Sequence, residues 1–320
     1  MRLYANLAIL AGAMLALAAP ASAQEYPTKP VRLVVPFPPG AANDTLARIV
    51  AAELGPRLGK QIIVDNRAGA GGTIGTEHVA SSAPDGYTLL LTSSALTTSP
   101  YVYKLNFDPV KSFEPVSMLA IADPAFIAIN PALPAKTIPE FIALAKAKPG
   151  QLHMAHSGIG TFLHTSGLLF AKSAGIDVVD VPFKGAGPAI QNILGGDSHF
   201  IVVGFSSLGP FVTSGRLRAV GVASNKRSRY LPDVPTLAEQ GLPGVNAANW
   251  FGVIAPADTP PAIVQRLHRE LAAVQDLSSF NSGVEKFGAE AWKLNPKEFR
   301  DLISSELKKW QPILAGIKPQ

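Results

Sequence analysis

The stretch VRLVVPFPPGAANDTLAR, residues 31–48, decides how this chain is read. An apolar run breaks at Pro36, Pro38, Pro39 and Gly40, and a helical pattern starts near Asn43 with Asp44 just behind it. Proline fixes φ and has no N–H to donate, so the turn is stiff. Gly40 lets backbone approach closely. The N–H groups of Ala41, Ala42 and their neighbours lack intrahelical partners and point at the helix mouth, where an anion is favoured. Two readings stand from these residues alone: an ordinary strand-to-helix turn, or a cradle for an anion. In both, Asn43 or Asp44 caps the first helical turn.

The same unit recurs along the chain. Candidate strands are VRLVV from Val31, QIIVD from Gln61, TLLLTS from Thr88, FIAIN from Phe126, LHMAHS from Leu152, VVDVPF from Val178, FIVVGF from Phe200, RAVGVA from Arg218 and FGVIAP from Phe251. Most are continuous apolar runs, the pattern of strands buried on both faces. Helix starts lie between them. Thr137 with Glu140, and Thr236 with Glu239, have capping-box spacing. Thr259-Pro260 and Asn295-Pro296 place a cap residue before a first-turn proline. Strands alternating with helices give an α/β fold with mostly parallel sheets flanked by helices. The 28 glycines and 28 prolines suit a rigid scaffold whose loops carry the function.

The chain starts with Arg2, an apolar run LAILAGAMLALAA, Pro20 and the small residues ASA. This reads as a secretory signal peptide, residues 1–23, cut after Ala23. The apolar run is shorter than the roughly 20 residues a membrane span needs. With no cysteine there is no lipid attachment, disulfide or thiolate metal site. A protein free in the periplasm of a Gram-negative cell is expected. Loss of Arg2 lowers the formal net charge from +5 to +4. That mild excess suits anionic small molecules, and its scattered lysines and arginines exclude a nucleic-acid surface. No coiled-coil pattern appears, and a monomer is expected.

Several strand ends bear candidate binding groups. NRAGAGGTIG, residues 66–75, resembles a dinucleotide fingerprint, but Ile74 stands where the third glycine belongs. No nicotinamide, flavin or other cofactor is expected. Ser93 and Ser94 open a run of hydroxyls at the end of an apolar strand, the place where open α/β sheets bind ligands. Ser157, Gly158, Gly160 and Thr161 offer hydroxyls and N–H groups in another strand-to-helix turn. His153, His156 and His164 invite a metal, yet no carboxylate or cysteine joins them at ligand spacing, so no metal site is expected. Lys184, Gly185 and Ala186 follow a further strand. GFSSLG, containing Phe205 and Ser206, is G-x-S-x-x-G and not the G-x-S-x-G of a nucleophile elbow, with no acid and base to complete a triad. Sites made of N–H groups and hydroxyls bind anions and do little acid–base chemistry. They point to a receptor and away from an enzyme.

As a set, YPTKPVRLVVPFPPG, VDNRAGAGGTIG, APDGYTLLL, FDPVKSFEPVSML, VPFKGAGPAIQNILGG, GRLRAVGVASNKRSRYLPDVPTLAEQG and WFGVIAPADTPPAIVQRL resemble, in order, the periplasmic receptors of the tripartite tricarboxylate transporter family, the Bug receptors. The resemblance implies a two-lobed periplasmic binding protein of type II-like architecture. Lobe one would be residues 24–123 plus 249–320, and lobe two residues 124–248. A small carboxylate would sit in the interlobe cleft and pass to membrane transporter subunits, or report to a membrane sensor. It would be held largely by N–H groups and water. The residues that map onto the cleft are Phe37, Gly40, Ala41, Asn43, Asp44, Ser93, Ser94, Ser157, Gly158, Gly160, Thr161, Lys184, Gly185, Ala186, Phe205 and Ser206. Here Ala41 follows Gly40 where the family has a second glycine, Ser99 replaces asparagine, His156 and Phe162 replace small polar residues, and Val203 stands for an acidic residue. These departures favour a carboxylate with an apolar or aromatic body over a citrate-like one.

Overall fold

The computed structural model describes residues 26–122, 124–245 and 247–315. The expected signal peptide lies outside the described residues. The first part of the chain supplies β1 (Val31–Val35), α1 (Ala42–Leu58), β2 (Ile62–Asn66), α2 (Thr73–Ala80), β3 (Thr88–Ser93), the short α3 (Ala95–Thr98) and β4 (Phe113–Ala122). Then follow β5 (Phe126–Ile129), α4 (Ile138–Ala147), β6 (Leu152–His156), α5 (Phe162–Ala174), β7 (Val178–Pro182), α6 (Ala186–Gly195), β8 (Phe200–Val203), α7 (Phe205–Thr213) and β9 (Arg218–Val222). The last part adds β10 (Trp250–Pro256), α8 (Pro261–Val274), α9 (Ser278–Lys286), β11 (Ala289–Leu294) and α10 (Pro296–Leu314).

Two sheets result, ordered β11-β4-β10-β3-β1-β2 and β7-β6-β8-β5-β9. The central strands of each are buried on both faces, as the apolar runs require, while the edge strands β2, β7 and β11 are partly exposed. Val31, Leu33 and Val35 of β1 pack with α1 and α8, and Val34 faces the opposite cluster with Trp250 and Phe299. In the second sheet Ile127 and Ile129 face Phe141 and Phe170, and Phe126 and Ala128 face Ile190 and Leu208. Burying one such side chain stabilises by about 2 kcal/mol.

The sheets are mixed, not mostly parallel. β1 pairs in parallel with β2 and β3, but β10 runs antiparallel between β3 and β4, and β11 antiparallel to β4. The second sheet likewise joins parallel β7-β6-β8 to antiparallel β5 and β9. The cause is the return path. The chain leaves the first sheet at the end of β4 and re-enters it on β10, so the two segments lie side by side in opposite directions. The N–H of Ala122 donates to the carbonyl of Asn249 at 2.8 Å where they meet.

The helix α10 makes a further crossing. It opens on a full capping box between Asn295 and Glu298. Phe299 and Ile303 pack in the first unit, while Trp310 and Leu314 are buried among side chains of the second. Two expected helix starts differ. Thr236 and Glu239 do exchange both capping-box hydrogen bonds, but only a turn follows, ended at Gly241 with φ 89°. After Thr259 the helix begins at Pro261, and the Thr259 hydroxyl donates to the Pro256 carbonyl at 2.7 Å.

Candidate functional site

A cavity of about 300 Å³ opens between the two sheets. The first unit lines it with Phe37, Asn43, Ser93, Asn249 and Phe287 among others, and the second with Ser157, Gly160, Thr161, Phe162, Leu163, Gly204, Phe205 and Ser207. Among the described lining residues there is no Lys, Arg, His, Asp or Glu. Polar character comes instead from helix ends. α1 starts at Ala42, α5 at Phe162 and α7 at Phe205, and all three N-terminal ends reach the cavity wall. The first N–H groups of each have no carbonyl one turn back, and the helix dipole places partial positive charge there. Asn43 adds a side-chain donor. It is 6% exposed, and its Nδ2 has no hydrogen-bond partner. A buried orphan donor costs about 1–3 kcal/mol until something accepts from it.

Asp44 organises the opening turn. Its Oδ2 accepts from the Gly40 N–H at 2.8 Å and from Arg48 Nε at 3.0 Å, and its Oδ1 accepts from Asn66 Nδ2 at 3.0 Å. The Asn66 amide also donates to the Phe37 carbonyl at 3.1 Å. Burial alone would push this carboxyl up; the bonds from Arg48, Gly40 and Asn66 outweigh it and hold Asp44 below the usual carboxylate range. Neither Asp44 nor Asn43 is the cap residue itself: that position is Ala41, with no side-chain cap bond. The glycine run behind the turn serves packing. A Cβ on Gly75 would lie 2.9 Å from Pro36 Cα and 2.7 Å from the Arg67 carbonyl, so only glycine lets α2 rest against the proline turn.

The comparison that decides the family is a match of residues 46–318 to the tripartite tricarboxylate transporter family receptor. The chain belongs to that family. It is 36% identical over 301 residues to Protein BugT of Bordetella pertussis, covering 93% of this chain and 92% of that one. The structure of R. palustris Rpa4515 with adipate superposes with a TM-score of 0.78 at 32% identity, over 92% of this chain and 100% of that one. MatC from Rhodopseudomonas palustris with bound malate gives a TM-score of 0.76 at 32% identity, over 90% of this chain and 100% of that one.

In this receptor the cavity wall brings together Phe37, Asn43, Ser93, Ser157, Gly160, Thr161 and Phe205 from the residues expected at the cleft. Of the others, those whose side chains are described stand off it. The Gly40 N–H is taken by Asp44 and the Ala41 N–H by the Pro38 carbonyl, so neither faces a ligand with a free donor. The Ser94 hydroxyl donates to Asn249 Oδ1 at 2.8 Å. Gly158 donates its N–H to His156 Nδ1. Lys184 is exposed, and Gly185 and Ala186 are half-buried off the wall. Ser206 lies in α7, and its side chain is outside the described residues. The sequence reading missed Asn249, at the return to β10, and Phe287, in the turn before β11. Neither position carries a local motif; only the chain's return to the first sheet places them here.

Asp180 of β7, far from His156 and His164 in sequence, joins both of them, so a carboxylate does meet the histidines. Donor atoms of the three lie within 4.8 Å of one another. His156 and His164 are 1% and 2% exposed, with rings stacked at 4.1 Å. Their Nδ1 atoms accept from the N–H groups of Gly158 and Gly160. A ring accepting at Nδ1 carries its proton on Nε2, so the nitrogens facing Asp180 are donors, the wrong tautomer for a metal ligand.

Proposed function

We propose that this chain is a periplasmic receptor that binds a small carboxylate, closes on it and delivers it to membrane subunits of a tripartite tricarboxylate transporter, performing no chemistry. The observation that carries the reading is a cavity between two units whose donors are helix N-termini, hydroxyls and one orphan amide. A carboxylate accepts from such groups. None of the described lining side chains is an acid or base for proton transfer, which supports binding without turnover. The two related structures bound to adipate and malate favour the same ligand class.

Phe37, Phe162, Leu163, Phe205 and Phe287 give the cavity a mainly apolar wall. Phe205 is held in place by Tyr230, stacked at 4.5 Å. A citrate-like acid would bring three charges into a space with no described cation to pair them, at a large desolvation cost. The ligand is a carboxylate with an apolar or aromatic body. The receptor works as a monomer after removal of residues 1–23, and no helix among the described residues is long and apolar enough to cross a membrane.

The test is thermal denaturation of residues 24–320 with mono-, di- and tricarboxylates and aromatic acids. A ligand at a hundred times its Kd stabilises the native state by about 2.7 kcal/mol, a shift of several degrees. A shift with aromatic or aliphatic carboxylates, without turnover, is the expected result. Preference for citrate would overturn the apolar-body reading. No shift with any acid, in protein shown by mass analysis to be ligand-free, would overturn the carboxylate reading.

A further inference from the structure

The buried histidine pair sits directly beneath the turn Ser157–Thr161 that lines the cavity, and its geometry is particular. Gly158 donates to His156 Nδ1 at 3.3 Å, and Gly160 donates to His164 Nδ1 at 3.1 Å. His164 Nε2 lies 2.8 Å from Asp180 Oδ2. His156 Nε2 lies 3.9 Å from Asp180 Oδ1 and has no hydrogen-bond partner. Two alternate N–H groups of one short loop are thus pinned from below by two rings. The pinning leaves the opposite side of the loop, with Ser157, Gly160 and Thr161, on the cavity wall. Gly158 and Gly160 have φ of 128° and 74°, a backbone that glycine tolerates and that needs holding in place.

We infer that His156 and His164, oriented by Asp180, are positioning residues that hold the ligand loop 157–161 only while both rings are neutral. This rests on the reading of the cavity as the carboxylate site. Each ring already carries its proton on Nε2, so a second proton has one place to go, Nδ1. There it meets the Gly158 or Gly160 N–H, donor against donor, and the loop contact is lost. One carboxylate serves both rings, so the pair cannot be neutralised as two imidazolium–carboxylate pairs. The charged or titratable groups acting on His156 are His164 from α5 and Asp180 from β7. The facing elements α6 and β8 and the loop itself contain no titratable side chain, and from the first unit the Tyr103 hydroxyl donates to the Ile159 carbonyl of the loop at 3.5 Å. Burial, then the neighbouring His164, holds His156 below the ordinary imidazole value. The sign follows: with its folded value below the ordinary imidazole value, His156 stays neutral and keeps the Gly158 contact at about pH 6.5 and above, and that contact is lost only as the pH falls through the lower folded value.

The test is NMR of the mature chain between pH 8 and pH 4, without ligand, beside His156→Asn and His164→Asn. Asparagine places an acceptor oxygen near the Nδ1 position and does not titrate. The expected result is the Nε2–H tautomer for both rings at pH 8 in the wild type. Gly158 and Gly160 amide signals should then shift together on acidification, with the shift at each glycine abolished by its own asparagine variant. In the same samples, the affinity for the best acid of the thermal panel should fall in step with the glycine amide shifts in the wild type, by about tenfold or more across that transition, and stay within about twofold in the double variant. Glycine amides that do not move with pH in the wild type would overturn the clamp, whether or not the variants fold. So would an Nδ1–H tautomer at pH 8, or stoichiometric zinc binding at Nε2. Titrating amides with a flat affinity profile would keep the clamp but overturn its coupling to the ligand. Because the amide readout uses no ligand, failure of the carboxylate reading would be seen separately in the thermal panel.

Discussion

At the residue scale, Asn43 and Asp44 are neighbours on one helical turn with opposite tasks. Asn43 is a buried donor left without a partner, which is unfavourable in the empty protein and useful when a carboxylate arrives. Asn43→Leu should weaken ligand binding by about tenfold to a hundredfold while leaving the ligand-free protein as stable or more so. Calorimetric titration with the best acid and denaturation without it measure the two effects; a large loss of stability with unchanged affinity would make Asn43 structural. Asp44 has every bond satisfied, and its carboxyl is held below the usual range. Its stabilisation is therefore complete above about pH 4, the unfolded value, and is lost as the pH falls through the lower folded value. Asp44→Asn should cost about 2 kcal/mol at pH 7 and progressively less below pH 4. Urea denaturation at the two pH values checks this, and an equal cost at both would remove the charge from the explanation. The amide-rich wall also accounts for a cavity lined without Lys184, which is exposed. A lysine beside a strand end looks like an anion partner in sequence, but here the helix ends already supply the positive potential.

At the element scale, tight approaches hold the site's supports together. Gly75→Ala would force a Cβ into the backbone of Pro36 and Arg67, and should destabilise by about 1–3 kcal/mol by prising α2 off the proline turn. The same denaturation experiment reads it, and a neutral outcome would show that the turn moves freely. Nine strands were legible because each is an apolar run between Pro- or Gly-rich turns. β4 was not, because Glu114, Pro115 and Ser117 interrupt its pattern. The sheet absorbs them with register shifts against β10, at Phe251/Gly252 and Val253/Ile254. β11 hid for a different reason: as an edge strand its burial is mixed, and AEAWKL carries no continuous run. The site was half legible by the same logic. Residues directly after a strand, such as Ser93, Ser157 and Thr161, announce themselves. Asn249, Phe287 and the Asp180 partnership with two histidines depend on which strands become neighbours, which no local pattern encodes.

At the scale of the whole molecule, α10 constrains how the two units can move. Phe299 and Ile303 tie its first half to the first unit, and Trp310 and Leu314 tie its end to the second. The Tyr101 hydroxyl also donates to the Leu307 carbonyl at 2.7 Å, near the middle of the crossing. Trp310→Ala should therefore cost about 3–5 kcal/mol, the loss for a buried aromatic, and should loosen one unit against the other. In the proposed closure these three crossings make the motion a rotation about the strand pair β4–β10 and α10, not a separation. On that reading a ligand that contacts both walls binds the closed form better and shifts the population toward it. Hydrogen exchange with and without the best acid separates the moving parts. Protection should rise in residues 37–45 and 157–165, which carry the facing helix ends, while α10 stays equally protected in both states. If α10 gained protection as much as the cavity loops did, it would be part of the moving wall, and the pivot would lie in the β4–β10 pair alone.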